Sequence, residues 1–171
     1  MSDESSAEIL ADRKDFMQEH RAAYLQSGGK DGHIVDITPA GGYPFTAHCL
    51  IRYKGRKSGN IYITPLIYGI VAGEAVIVGS KGGADIHPSW YHNIRASETV
   101  EFQIATQAWL ATWREPEGAE REKVWAYMVD LFPSYAGYQQ STNRQIPIIM
   151  MKPTEPLPVF TEADATGIRP L

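Results

Sequence analysis

The run "AHCLIRYKGRKSGNIYITPLIYGIVAGEAVIVGS", Ala47 to Ser80, holds three apolar stretches rich in β-branched and aromatic residues, each cut off by turn residues. "AHCLIRYK", "IYITPLIYGI" and "EAVIVGS" read as strands. The breaks are a charged hairpin loop, "KGRKSGN", and an ordinary tight turn, "VAGE". Further on, "TVEFQI" alternates, with Val100, Phe102 and Ile104 on one side and Glu101 and Gln103 on the other, as a half-buried strand does. "QAWLATWRE" and "IPIIMMK" complete a set of about six strands, mainly antiparallel. Only two helical patterns interrupt them. "HPSWYHNIRA" has Pro88 at a first-turn position, and "GAEREKVWAYMVDLF" presents Val124, Trp125, Met128 and Leu131 on one side. Many short strands with few helices between them favour an antiparallel barrel over a doubly wound parallel sheet.

Upstream, residues 5–27 form an amphipathic helical pattern. Ser5 and Glu8 make a capping box, and Ile9, Leu10, Phe16, Met17, Tyr24 and Leu25 fall near one face. Gly28-Gly29 ends the pattern. Its polar face carries Asp12, Asp15 and Glu19, which disfavours anionic lipid, so packing on the core is the expected role. With 171 residues and 43% hydrophobic content, the chain suits one domain with a real core. The expected organisation is a helix over 1–30, a barrel over 31–160 and a tail over 161–171.

Composition excludes several classes. No apolar run approaches the roughly 20 residues of a membrane span. The start "MSDESSAEIL" lacks a signal-peptide pattern, and Cys49 is the single cysteine, so a soluble cytoplasmic protein is expected. A net charge of −4 argues against nucleic acid. Between Arg52 and Lys81, however, the charged residues are Arg52, Lys54, Arg56, Lys57, Glu74 and Lys81, a cationic island that suits a small polyanion. A basic solvated hairpin has the same charge pattern.

Chemistry-bearing patterns are few. His87 and His92 stand five apart and miss the i, i+4 spacing of paired metal ligands, so no metal is expected. Ser80 lacks a nucleophile elbow, and Cys49 sits mid-strand as a small buried hydrophobe. "GRKSG" resembles the tail of a Walker motif without its upstream glycine or following helix, yet Arg56, Lys57 and Ser58 still offer charge-assisted and hydroxyl donors. "GSKGGA" adds Lys81 and backbone donors, and two such loops one hairpin apart suggest a shared anion site. Trp90 and Tyr91, then Phe132, Tyr135 and Tyr138 in "FPSYAGY", bring many rings near expected loops. Core packing accounts for most aromatic residues. In "PSYAGYQ", Pro, Ser and Gly are expected to break the helix, leaving tyrosines to wall a pocket and donate protons.

The stretches "GRKSGNIYITPLIYG", "VGSKGGADIHPSWYHNI" and "FPSYAGYQQSTNRQIPIIMMKP" resemble, in order from about Leu50 to Pro153, the deazaflavin-dependent nitroreductase and quinone reductase family, whose members bind coenzyme F420. The resemblance implies an α+β split β-barrel related to the FMN-binding oxidases of pyridoxamine phosphate. It also implies hydride transfer from reduced F420 to an electrophilic acceptor such as a quinone, an activated enone or a nitroaromatic compound. On this likeness Arg56, Lys57 and Ser58 hold the phosphate and tail, with Lys81 assisting. Tyr62, Ile63, Thr64, Pro65, Leu66 and Ile67, with Val78, Gly79 and Ser80, run along linker and ring. Ser89, Trp90, Tyr91, His92 and Asn93 close over the deazaflavin. Tyr135 stands beside the acceptor, with Tyr135 or Tyr138 supplying a proton and Ser80 a hydrogen bond. Tyr62 replaces a frequent arginine, and Ile67 and Phe132 replace tyrosines of some members, which makes the pocket more apolar. Alternatives are a deazaflavin carrier without turnover and an FMN-dependent oxidoreductase of the same fold. A lipid quinone as acceptor would imply weak association with the inner face of the cell membrane.

Overall fold

The computed structural model of the chain describes residues 16–167, and within them every strand pairs antiparallel with its neighbours in one eight-stranded sheet. The strands are β1 (Ile34–Val35), β2 (Thr46–Lys54), β3 (Ile61–Ile67), β4 (Gly69–Val71), β5 (Glu74–Val78), β6 (Thr99–Ile104), β7 (Gln107–Arg114) and β8 (Ile148–Leu157). Helix α1 is described over 16–26, followed by α2 (Ser89–Arg95), α3 (Gly118–Leu131) and α4 (Ser134–Gln140). The Ser5–Glu8 capping box, Ile9, Leu10, Asp12 and Asp15 lie outside the described residues.

Closure comes from one bend. The run expected as a single strand, "IYITPLIYGI", is divided at Tyr68 into β3, which pairs with β2, and β4, which pairs with β5. The remaining pairings, β2–β6, β6–β7, β7–β8 and β8–β5, complete the circuit of a split barrel. Gly69 permits the hand-over, because a Cβ there would lie 2.6 Å from Tyr127 and 2.7 Å from Leu131 on α3. Strand β8 runs past the expected Lys152 to Leu157. Ile148 and Ile149 pair with β5 alone, Met150 and Met151 with both neighbours, and Lys152 to Leu157 with β7 alone, so Pro153 and Pro156 cost the sheet few donors.

Inside the barrel, Cys49, Ile51, Phe102, Ala111, Ile149 and Met151 pack with Trp90, Tyr91 and Ile94 of α2. On the outer face, Val76, Ile148 and Met150 meet Val124 and Met128 of α3 and Tyr135 of α4. A third cluster joins Tyr24 and Leu25 of α1 to Leu50, Ile63, Ala108 and Phe160. Arg52 secures the segment around Phe160, lying 4.2 Å over that ring and pairing with Asp164 at 3.0 Å. Two local expectations change. "PSYAGYQ" is helical as α4, with Pro133 at its N-cap where a missing N–H is harmless. Pro88 likewise caps α2 rather than occupying its first turn. No helix among the described residues is long and apolar enough to cross a membrane.

Helix α1 is anchored by Tyr24, whose hydroxyl donates to the His48 carbonyl at 2.9 Å and accepts the Ala105 N–H at 2.8 Å. Past its end, Gly28 and Gly29 both have positive φ, but a Cβ on Gly28 meets open space while one on Gly29 would lie 1.7 Å from the Ala105 oxygen. Gly28→Ala is therefore expected to lose only the left-handed strain, about 1 kcal/mol. Gly29→Ala should lose at least about 2 kcal/mol more by undocking the helix end. Urea unfolding of the two variants side by side measures the difference.

Candidate functional site

A cleft of about 340 Å³ opens where β3, the turn after β5, α2, α4 and α1 converge. Thr64, Pro65, Leu66 and Ile67 form one wall, and Val78, Ser80, Lys81 and Gly82 form another. Pro88, Ser89 and Trp90 come from the start of α2, and Phe132, Tyr135 and Tyr138 from the α3–α4 junction. The rings of Phe132, Tyr135 and Tyr138 pack edge to face, with centroids 4.9 to 6.4 Å apart, which fixes the aromatic wall. Ile67 and Phe132 both face the cleft and give it apolar surface. Tyr135 is 4% exposed, and burial pushes its hydroxyl pKa up, so it holds its proton firmly.

Several residues singled out from the sequence lie off this cleft. Tyr62 is buried, stacks on Tyr53 at 5.8 Å and shares a 3.1 Å hydrogen bond with Ser58 Oγ, so both residues brace the hairpin loop. Ile63 points the other way, into the cluster beneath α1. Gly79 donates its N–H to Pro147, and Tyr91 hydrogen-bonds Glu115 at 2.6 Å. Arg56, Lys57, His92 and Asn93 gather at the far end of α2. Asn93 Oδ1 accepts from the Arg56 backbone N–H at 3.0 Å and from its guanidinium at 2.9 Å. That fixes the amide orientation and leaves the buried Asn93 Nδ2 as a side-chain donor with no hydrogen-bond partner among the described residues. His92 is held below its ordinary pKa by desolvation first and then by Arg56, Arg95 and Lys57, which registers a positive field. Asn93 follows Ser89 by four residues, about 6 Å along the axis, so α2 carries the cleft directly to the basic loop.

The turn from Ser80 to Gly83 is the least relaxed backbone of the site. Ser80 is right-handed (φ −74°), while Lys81, Gly82 and Gly83 have φ of 46°, 63° and 84°. A right-handed residue followed by a left-handed one converges successive N–H groups into an anion-binding concavity. Arg144 holds this shape. Its guanidinium donates to the carbonyls of Ala84 (2.7 Å), Gly79 (3.1 Å) and Ser80 (2.7 Å) and to His87 Nδ1 (2.9 Å). Ser141 adds a bond to the Gly83 carbonyl, and a Cβ on Gly83 would sit 2.2 Å from that hydroxyl. Arg144 stands in the "STNRQIP" stretch, but its clamp joins segments about sixty residues apart and has no local signal.

Among the cleft residues that the sequence reading did not place there are Phe16, Met17 and His20 on α1, and His48 on β2. The one hint was a polar side chain inside the apolar run "AHCLI". His48 is 8% exposed, and burial, then the nearby His20, lowers its pKa to about 4. Among the described residues no group of three His, Cys, Asp or Glu is placed to hold a metal ion.

Two outcomes follow from this geometry. Arg144→Lys keeps the charge but not the planar fork, and amide exchange from Ser80 to Gly83 should rise at least about tenfold while β6 stays protected. His48, depressed from 6.5 to about 4 in the folded chain, binds fewer protons there than when unfolded. Its share of stability is therefore complete above the unfolded value and is lost as pH falls towards the folded one. Urea midpoints should drop between about pH 7 and about pH 4.5, and the drop should shrink in His48→Leu.

The family model described as F420H(2)-dependent quinone reductase matches residues 16–153. An F420H(2)-dependent quinone reductase of Mycobacterium tuberculosis is 27% identical over 135 residues, covering 77% of this chain and 86% of the relative. A solved F420-H2 dependent reductase superposes with a TM-score of 0.57 at 40% identity, covering 61% of this chain and 93% of that one. A second solved structure, a domain-swapped dimer, superposes at 0.60 with 35% identity over 82% of this chain and 99% of that one. With most of its length inside that match, the chain belongs to the F420H(2)-dependent quinone reductase family.

Proposed function

We propose that the cleft seats the ring of reduced F420 beside a quinone or activated enone, with the coenzyme's anionic tail lying along α2 to the Arg56–Lys57 loop. Family membership makes the chain an F420H2-dependent oxidoreductase with reduced F420 as its cofactor. The observation that carries the binding mode is the buried Asn93 Nδ2, a donor with no hydrogen-bond partner among the described residues, beside Arg56 and near His92, whose pKa is lowered by desolvation and then by Arg56, Arg95 and Lys57. An uncompensated buried donor costs about 1–3 kcal/mol, and an anion bound there satisfies it. The residues present therefore fit a polyanion with an aromatic head.

When bound, reduced F420 supplies a hydride. The chain's contribution is placement and exclusion of water. Trp90 and the Thr64–Ile67 wall bound a flat slot. The Arg144-held turn points convergent N–H groups and the Ser80 hydroxyl at the polar edge of whatever fills it. Tyr135 keeps its proton until negative charge develops on the acceptor oxygen, then donates it. Ile67 and Phe132 add apolar wall instead of further hydroxyls, which favours quinones and enones over nitroaromatic compounds as acceptors.

Arg56→Ala and Lys57→Ala should each weaken F420 binding about tenfold at low salt, and less at high salt, in a tryptophan-quenching titration. Unchanged affinity in both, or a purified chain that takes up FMN instead, overturns the reading. Tyr135→Phe should lower kcat at least about tenfold with little change in coenzyme affinity. A change in affinity alone makes the residue wall rather than donor.

A further inference from the structure

At the α1 end of the cleft two histidines meet edge to face. His20 of α1 and His48 of β2 have ring centroids 4.9 Å apart at 90°, and both line the cavity with Phe16, Met17 and Ile67. Their hydrogen bonds fix their tautomers. His48 Nδ1 lies 2.9 Å from the Thr46 carbonyl and His20 Nε2 lies 2.6 Å from the Gly32 carbonyl. A carbonyl oxygen only accepts, so each of these nitrogens carries the hydrogen. The other nitrogen of each ring, Nε2 of His48 and Nδ1 of His20, is then a bare lone pair.

Nothing nearby turns these lone pairs into charged donors. The third histidine of the group, His33, bonds the Tyr68 hydroxyl at 2.6 Å, and its charged form would further oppose protonation of His48. No carboxylate is among the groups acting on either ring, and burial keeps both His20 and His48 neutral. The result is a pair of hydrogen-bond acceptors at one end of a cavity whose neighbouring side chains are apolar. Such a site discriminates strongly in favour of a ligand with a donor at that point, because an apolar ligand strips water from the lone pair and returns nothing.

We propose that His48, supported by His20, forms a hydroxyl-accepting subsite that selects hydride acceptors bearing an alcohol on a short side arm. The proposal rests on the reading above that the acceptor occupies this cleft, and it adds the substituent that the cleft recognises.

Two naphthalenes that cannot accept hydride, 2-naphthalenemethanol and 2-methylnaphthalene, test the subsite without turnover. In protein labelled with ¹⁵N-histidine, the alcohol should shift the His48 Nε2 signal while the methyl compound leaves it in place. The preference for the alcohol over the methyl compound should fall about fivefold in His48→Leu, and His48→Gln, which restores an accepting oxygen, should recover part of it. A purely structural His48 would weaken both ligands equally and leave their ratio unchanged. An unchanged ratio in His48→Leu, or a silent Nε2 signal in the wild type, overturns the proposal. Should His48→Leu fail to fold, the wild-type signal alone decides. With F420H2, kcat/KM for 2-hydroxymethyl-1,4-naphthoquinone relative to its 2-methyl analogue should show the same dependence on His48. Alcohol binding with the His48 shift but no turnover of either quinone would sink the hydride-transfer reading and spare the subsite.

Discussion

The guanidinium of Arg144 is the interaction on which the site depends. A non-glycine residue with φ of 46° is costly, and two more left-handed residues follow it. Three carbonyls and one imidazole nitrogen, all served by one planar fork, over-determine that shape. With the carbonyls turned towards Arg144 and the Gly83 N–H closed onto the Ser80 carbonyl, Ser80 and Lys81 are left lining the cleft. His87 belongs to the same arrangement: an imidazole that accepts from an arginine is neutral there and serves the turn rather than a metal ion.

The second organising element is α2. Trp90, Tyr91 and Ile94 bury themselves in the barrel interior, which fixes the helix rigidly. That rigidity fixes the separation between Ser89, at the cleft, and Asn93, at the basic loop. A ligand with a flat head and a charged tail needs a ruler of this kind. The hairpin loop itself is stiffened by Tyr62 through its stacking on Tyr53 and its bond to Ser58. On the proposed binding mode, affinity for the tail depends on Arg56, Lys57 and the Asn93 amide.

Helix α1 does two jobs with one apolar face. Its C-terminal half, through Tyr24 and Leu25, completes a core cluster, while Phe16, Met17 and His20 reach the cleft. The sequence reading expected packing on the core; earlier turns of the same helix also border the cleft. Docking of α1 also brings His20 against His48 and so gives one end of an aromatic and aliphatic cavity its polarity.

How much was legible follows from how local each signal is. Strand periodicity, the charged hairpin loop and the short helices depend on neighbours within a few residues, and the barrel and the cationic island could be read from them. So could the family, because "SKGGA", "HPSWYHN" and the tyrosines of "PSYAGYQ" stand in order along the chain. The break between β3 and β4 could not be read, since it is set by the side of α3 pressing on Gly69. Nor could the role of Arg144, the outward turn of Ile63 or the pairing of His20 with His48. Each of these joins segments tens of residues apart, and a hydrogen bond or steric contact at that separation leaves no period in either segment. The sequence by itself determined most of the elements and the family's chemistry, whereas the tertiary structure decided α4, the break between β3 and β4, and which side chains share the cleft.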